Sequence, residues 1–320
     1  GVMTQFFAAA AKLVADWGKR RGHRIMLSTL VPASPGNCRR MGFDLGEIAR
    51  LGYIDRLAAG PRWDTLNTDM PFDEWRKILP SGFPFGAKQE VNYRAYIPGK
   101  EVWQSQFSIT ESMAYGQAAA FVSAGADFIY LFNYFGDNGC LSDLKRPNKN
   151  DIGDSLFRAT SVIKRVYNEF AHPERMDTWT RCVPVTYDDF MPLGVNITRA
   201  LPMDAATEIR EIKFQTGRIK KGQRTVLTLQ TSEPVDAAVL APTVNGITGR
   251  LLAEPLCDKF IVAGNAVSFE YDGVSTDLWA TVVIPKTSVP VTLDYIAVTI
   301  FPVQPDLGCY ECQQSPGTMY

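Results

Sequence analysis

The chain has 320 residues, 46% of them hydrophobic and 21% charged, with a formal net charge of -1. This is ordinary globular composition, and it lacks the basic face that non-specific nucleic-acid binding requires. Membrane insertion is not expected either. No apolar run approaches the roughly 18 residues that span a bilayer, and the longest apolar helical pattern, Thr4 to Trp17, is broken by Gln5, Lys12 and Asp16.

Thr4 to Arg21 reads as an amphipathic helix. Its alanine run favours the helix, Lys19, Arg20 and Arg21 suit the negative end of the dipole, and Gly22 is a stop signal. Arg24 to Pro32 is mostly apolar and of strand length, the pattern of a strand covered on both faces. The alternation then repeats. Asp44 caps a short helix that runs to Leu51, and Tyr53 to Gly60 is the next strand. Pro71 to Leu79 is a helix with Asp73 and Glu74 in its first turn. Phe85 to Val91 is a strand, Ser108 to Ala124 a helix, Asp127 to Asn133 a strand, and Asp151 to Phe170 a long helix. His172, just past that helix, is read as part of its C-terminal cap.

Strands alternating with helices imply a parallel sheet with right-handed crossovers. Four such units are half of an eightfold barrel, although a complete four-stranded sheet covered on both faces would also fit.

After Pro173 helix signals vanish. Short β-rich runs follow at Thr180–Thr186, Glu208–Thr216, Arg224–Thr231, Ala237–Leu240, Phe260–Ile261, Ala266–Tyr271, Leu278–Ile284 and Tyr295–Val303. Asn245-Gly246 and Asp272-Gly273 between them favour hairpin turns. Short strands at this spacing predict an antiparallel β-sandwich or jelly roll. The expected organisation is α/β followed by all-β: a partial (β/α)₈ barrel over residues 1–175, a β-sandwich over 176–303, and a loosely ordered tail over 304–320.

The chemistry-bearing residues exclude several mechanisms. With only His23 and His172 present, Ser-His-Asp and His-based metal mechanisms have little to work with. The six cysteines are irregularly spaced, and Cys309-x-x-Cys312 has no second pair, so free thiols or a tail disulfide are expected and not a metal site. There is no glycine-rich phosphate loop, and Asp137 and Asp143 do not form a calcium-loop pattern. No cofactor and no metal are expected.

Three stretches carry a family resemblance: Asp16 to Leu27; Gly52 to Leu57 with Gly60-Pro-Arg-Trp63; and Gly125 to Asn133. Over roughly residues 1–190 the chain resembles the glycoside-hydrolase-family-ten-like barrel proteins of bacteria. The resemblance implies that the predicted strands are the fifth to eighth of the barrel, with the first four lying before Gly1 in a longer protein. It further implies a carbohydrate partner, a secreted or periplasmic location and a glycosidase activity in the full-length protein. The oligomeric state is left open.

In such barrels the active site lies at the C-terminal ends of the strands. Glu90 ends the third strand of this chain, where the resemblance implies a catalytic nucleophile. Its acid/base partner would lie after the fourth barrel strand, outside this sequence, so the chain as given is expected to lack the second carboxylate. A Glu90 paired structurally with Lys88 or Arg94 is the alternative. Arg62, Trp63 and Asp64 follow the second strand and combine an aromatic face with charged groups, as sugar binding demands. Trp63 could equally pack the loop onto the rim. Asn92 and Tyr93, and Asn133, Tyr134 and Asp137, are further candidates for hydroxyl hydrogen bonding and ring stacking. Asp137-Asn-Gly139 is also ordinary turn chemistry. Asp55 sits in an apolar run and needs a buried partner, so it is read as structural. A non-catalytic carbohydrate-binding or scaffold protein is the alternative to the hydrolase, and an isomerase or aldolase using Lys88 is a third possibility.

Overall fold

The computed structural model describes residues 1–61, 65–94, 96–99, 106–132, 164–186, 201–207, 209–256 and 265–303. It opens with helix α1 (Val2–Arg21), whose last turn holds Lys19, Arg20 and Arg21 and which ends at Gly22. Strand β1 (Ser28–Pro32) follows and is shorter than the apolar run predicts. The reason lies at Asp55, whose carboxylate accepts the Leu27 N–H at 2.6 Å and pairs with Arg24, while its own N–H donates to the Leu27 carbonyl. The start of the run is therefore held by Asp55, through both its carboxylate and its backbone N–H. Asp55 is structural, but it precedes the next strand, which starts at Arg56, and its charged partner Arg24 is exposed, where the sequence predicts a mid-strand carboxylate with a buried partner.

Helix α2 (Pro35–Arg40) was not foreseen. Its signal was local: Ser34 caps it by accepting from the Asn37 N–H, and Pro35 occupies the first turn. Helix α3 (Leu45–Arg50) begins at Asp44, which accepts from the Glu47 N–H at 3.1 Å, as predicted. Strand β2 (Arg56–Gly60), helix α4 (Phe72–Ile78) and strand β3 (Phe85–Glu90) continue the alternation. A small antiparallel hairpin of β4 (Asn92–Arg94) and β5 (Gln106–Ser108) then interrupts it. Helix α5 (Glu111–Ser123), capped by Thr110, and strand β6 (Phe128–Phe132) complete the series, and residues 164–170 are again helical.

Strands β1, β2, β3 and β6 form a four-stranded parallel sheet in that spatial order. One face is packed by helices. Leu57, Ala59, Phe85 and Ala87 join Ile48, Phe72, Trp75 and Phe121 in a single apolar cluster. Trp75 is fully buried against Phe85, and its indole N–H donates to the Ala33 carbonyl at 2.7 Å, which satisfies its polar end.

From Arg181 onward the strands pair antiparallel. They are β7 (Arg181–Pro184), β8 (Met203–Asp204), β9 (Arg210–Gln215), β10 (Arg224–Thr231), β11 (Thr243–Val244), β12 (Ile247–Thr248), β13 (Arg250–Leu251), β14 (Ala266–Tyr271), β15 (Trp279–Ile284) and β16 (Thr292–Phe301). One sheet runs β13-β14-β10-β16-β7 with β8 beside β16, and another runs β12-β11-β15-β9. Leu227, Leu229, Ile296 and Val298 of the first share one apolar core with Phe214, Val244, Val282 and Ile284 of the second. The Asn245-Gly246 turn joins β11 to β12, as its chemistry indicated. Ala237–Leu240 is not the predicted strand. Asp236 accepts from the Ala238 N–H at 3.0 Å and winds Ala237–Val239 into a 3₁₀ turn. The Phe260–Ile261 strand lies outside the described residues.

A third apolar cluster joins the two parts. Leu66, Val91, Tyr93, Met113, Tyr115, Trp179, Cys182 and Tyr295 belong to it. Polar contacts cross the same seam: the Thr65 and Thr186 hydroxyls are 2.9 Å apart, the Leu66 N–H donates to Thr186 Oγ1, and the Thr68 hydroxyl donates to the Gln215 carbonyl. Among the described residues, no helix is long and apolar enough to cross a membrane.

Candidate functional site

Side chains alternate between the two faces of a strand. Since Phe85 and Ala87 face the helices, Gly86, Lys88 and Glu90 face the other way. They are joined on that face by Phe128, Tyr130 and Phe132, their register partners on β6. This face is less completely covered than the helix face, with Leu30 at 37% exposure and Tyr130 at 43%.

At the C-terminal end of the sheet, Lys88 and Glu90 form a buried pair. Lys88 is 2% exposed and Glu90 is 1% exposed, and Lys88 Nζ lies 3.1 Å from Glu90 Oε2. The ammonium also donates to the Pro61 carbonyl at 2.8 Å and stands 4.3 Å from the centre of the Phe132 ring. Carbonyl, carboxylate and ring face all favour a cation. Glu90 Oε1 accepts the Val91 N–H at 3.1 Å. The sequence reading left Glu90 open between a catalytic carboxylate and a partner of Lys88 or Arg94, and the structure supplies the Lys88 pairing.

Backbone shape makes this arrangement possible. A Cβ on Gly60 would lie 2.5 Å from the Lys88 Cβ, so only glycine lets the lysine stem pass over the end of β2. On the opposite face of β3, the Gln89 side-chain amide donates to the Ala114 carbonyl on α5 at 2.6 Å, fixing the strand end from behind.

Asn92 is half-buried at the start of the β4–β5 hairpin, opposite Ser108. Tyr93 is fully buried, with its ring in the seam cluster, so it packs the two parts together instead of facing an open rim. The remaining candidates, Arg62, Trp63, Asp64, Asn133, Tyr134 and Asp137, lie outside the described residues, as do Asp143 and Cys140, Cys257, Cys309 and Cys312.

The sequence reading missed the buried carboxylates of Glu111 and Asp294, of which Glu111 lies in the parallel-sheet part. Glu111, 3% exposed, accepts from the Tyr115 hydroxyl at 2.7 Å and from Arg165 Nε and Nη2 at 3.2 and 3.0 Å. Tyr115, four residues on, was a legible signal. Arg165 was not, because the two residues meet only through the packing of α5 against residues 164–170.

Cys38 and Cys182 are buried, and burial pushes the Cys38 thiol up to about 12, too high for a reactive thiolate at neutral pH. His172 uses its backbone N–H to cap the Glu169 carbonyl, while its ring meets Glu174. Among the described residues, no group of three or more His, Cys, Asp or Glu is placed to hold a metal ion. A small hollow lies among Pro35, Cys38, Asp44 and Trp75, on the helix side of the sheet.

No family model and no curated protein matches the chain. Two solved structures show weak likeness. The chitinase ChiW of Paenibacillus sp. str. FPU-7, a cell-surface-expressed multi-modular enzyme, is 10% identical with a TM-score of 0.31, over 94% of this chain and 29% of that one. The lipase BlEst2 of Bacillus licheniformis in propeptide form is 12% identical with a TM-score of 0.20, over 92% of this chain and 64% of that one. This chain therefore spans less than two thirds of either, and at these scores neither likeness establishes a shared fold.

Proposed function

We propose that the parallel sheet is the second half of a (β/α)₈ barrel carrying an accessory β-sandwich, and that the protein belongs to a carbohydrate-active enzyme of the glycoside-hydrolase kind. The observation that carries this reading is the lysine-paired carboxylate of Glu90 at the C-terminal end of a parallel strand, the end at which barrel enzymes work. Glycoside hydrolysis of the usual kind needs two carboxyl groups, about 5 Å apart for retention or about 6.5–9.5 Å apart for inversion. Glu90 serves as the nucleophile or charge-stabilising member. The second is expected from a further part of the barrel.

A non-catalytic carbohydrate-binding or scaffold role is the second reading. The fact that favours it is the near-complete burial of Glu90, with both its oxygens engaged. The two readings separate on Glu90→Gln in the longest polypeptide that contains this chain. A hydrolase loses turnover of a responsive oligosaccharide while still binding it by calorimetry. A binder releases no reducing ends before or after the change. Full turnover in the Gln variant would reject Glu90 as the nucleophile.

A further inference from the structure

Lys88 is held by groups from three successive strand ends. Pro61 follows β2, Glu90 ends β3 and Phe132 ends β6, and each of them contacts the ammonium. A surface lysine would swing freely on its four-carbon stem. This one is 2% exposed, and its stem crosses β2 at the one residue that leaves room for it, Gly60. Arg56 is the other cation on this face of the described strands. It lies at the far end of β2, with its guanidinium 6.0 Å from the Phe128 ring. Tyr130, between Phe128 and Phe132, supplies a phenol, and Arg94 is the nearest further cation along the chain.

We propose that Lys88 is the positioning residue of the site: it keeps Glu90 ionised and fixes its Oε2, which assigns Glu90 the ionised role of a carboxylate pair and not the proton-donating one. The catalytic part of this assignment rests on the carbohydrate-active reading. The control of Glu90 by Lys88 does not. Burial alone drives a carboxyl group towards its neutral form, whereas a cation at 3.1 Å opposes that. A proton donor of such a pair is made by burial without a cation, and Glu90 has the cation.

The test uses the whole chain labelled with ¹³Cδ-glutamate, the Glu90 resonance being identified by its loss in Glu90→Gln. Wild type and Lys88→Arg should titrate low, while Lys88→Met raises the midpoint by about 1–3 units, the usual effect of losing a neighbouring opposite charge. Arg94→Gln is the comparison for general loss of positive charge and should move the midpoint less. Gly60→Ala leaves every charge in place but displaces the lysine stem, and should shift Glu90 in the same direction as Lys88→Met.

A folded Lys88→Met protein with an unmoved Glu90 midpoint overturns the proposal. If the Lys88 and Gly60 variants do not fold, wild type and Glu90→Gln still decide: protected Lys88 ammonium protons that become labile in Glu90→Gln support the pairing, and wild-type protons exchanging as in free lysine refute it. Where wild type turns over a glycan, Lys88→Met should lower kcat with KM little changed, and Lys88→Arg should restore part of the loss. A shifted Glu90 in a protein that neither binds nor cleaves any glycan upholds the control by Lys88 and rejects the carbohydrate reading.

Discussion

Gly116 on α5 lies so close to the backbone of β7 that a Cβ there would come within 2.3 Å of the Cys182 carbonyl oxygen. Helix and strand meet at this point with no side chain between them. The contact fixes where the helical part of the chain docks on the antiparallel part, and α5 is buried nearly all round as a result.

Gly116→Ala should therefore destabilise the protein, although alanine is the better helix former by about 1 kcal/mol. Overpacking of this kind typically costs about 1–3 kcal/mol, and here the obstructing atoms belong to the backbone and have little room to give. Urea denaturation should show a lower midpoint, with the seam loosening first in hydrogen exchange at residues 111–123 and 181–184. An unchanged midpoint would mean that the two parts do not depend on this contact.

The docking itself was hard to read in the sequence, whereas the order of elements was not. Strand and helix alternation was legible because each element carries its own period and its own caps, such as Asp44 for α3 and Gly22 after α1. Gly116 and Gly60 gave no signal as single glycines inside a helix and at a strand end, since their reason lies in residues distant in sequence. At the site, the Lys88–Glu90 pair was legible as an alternative because two residues along a strand share a face. That Pro61 and Phe132 complete the cage depends on which strands adjoin β3, which only the folded sheet order reveals. Tyr93 is a case of the same kind: its position just past a strand end makes it a candidate in the sequence, and only the fold shows its ring in the seam cluster.

Alkaline pH should expose a second dependence. Tyr271 is fully buried, its hydroxyl donates to the Pro242 carbonyl at 3.1 Å, and burial pushes the phenol above its ordinary value. An unfolded tyrosine releases its proton near pH ~10. The native state releases it only at higher pH, so this stability is fully present below about pH 10 and is lost as pH rises above it. Arg181 acts in the opposite direction. Burial lowers it to about 10, so the native state is penalised while the guanidinium is charged and regains stability only as pH rises past that value. The two effects set in near the same pH and oppose each other, so the difference between wild type and Tyr271→Phe, which both keep Arg181, isolates the tyrosine. From pH 8 to just above about 10, wild type should lose denaturation free energy relative to Tyr271→Phe. Equal slopes would remove Tyr271 as the cause.

The outward face of α1 carries Val2, Phe6, Leu13 and Trp17 at 81, 59, 59 and 45% exposure. At about 100° per residue these positions fall within one narrow stripe, while Phe7, on the other side, is buried in the helix-side core. Arg20 and Arg21 lie over the Trp17 ring at 5.2 and 5.9 Å and screen that end. Phe6 and Leu13 have no such cover among the described residues. A continuous apolar stripe of this kind favours association, so the chain should self-associate with rising concentration in sedimentation velocity. Phe6→Glu with Leu13→Lys should shift the distribution towards monomer without lowering the urea midpoint, because neither side chain packs in the core. Phe7→Ala should do the reverse, costing about 3–5 kcal/mol of stability, the usual loss for a buried phenylalanine, and so lowering the midpoint. If the double variant associates as strongly as wild type, the stripe is not the contact surface.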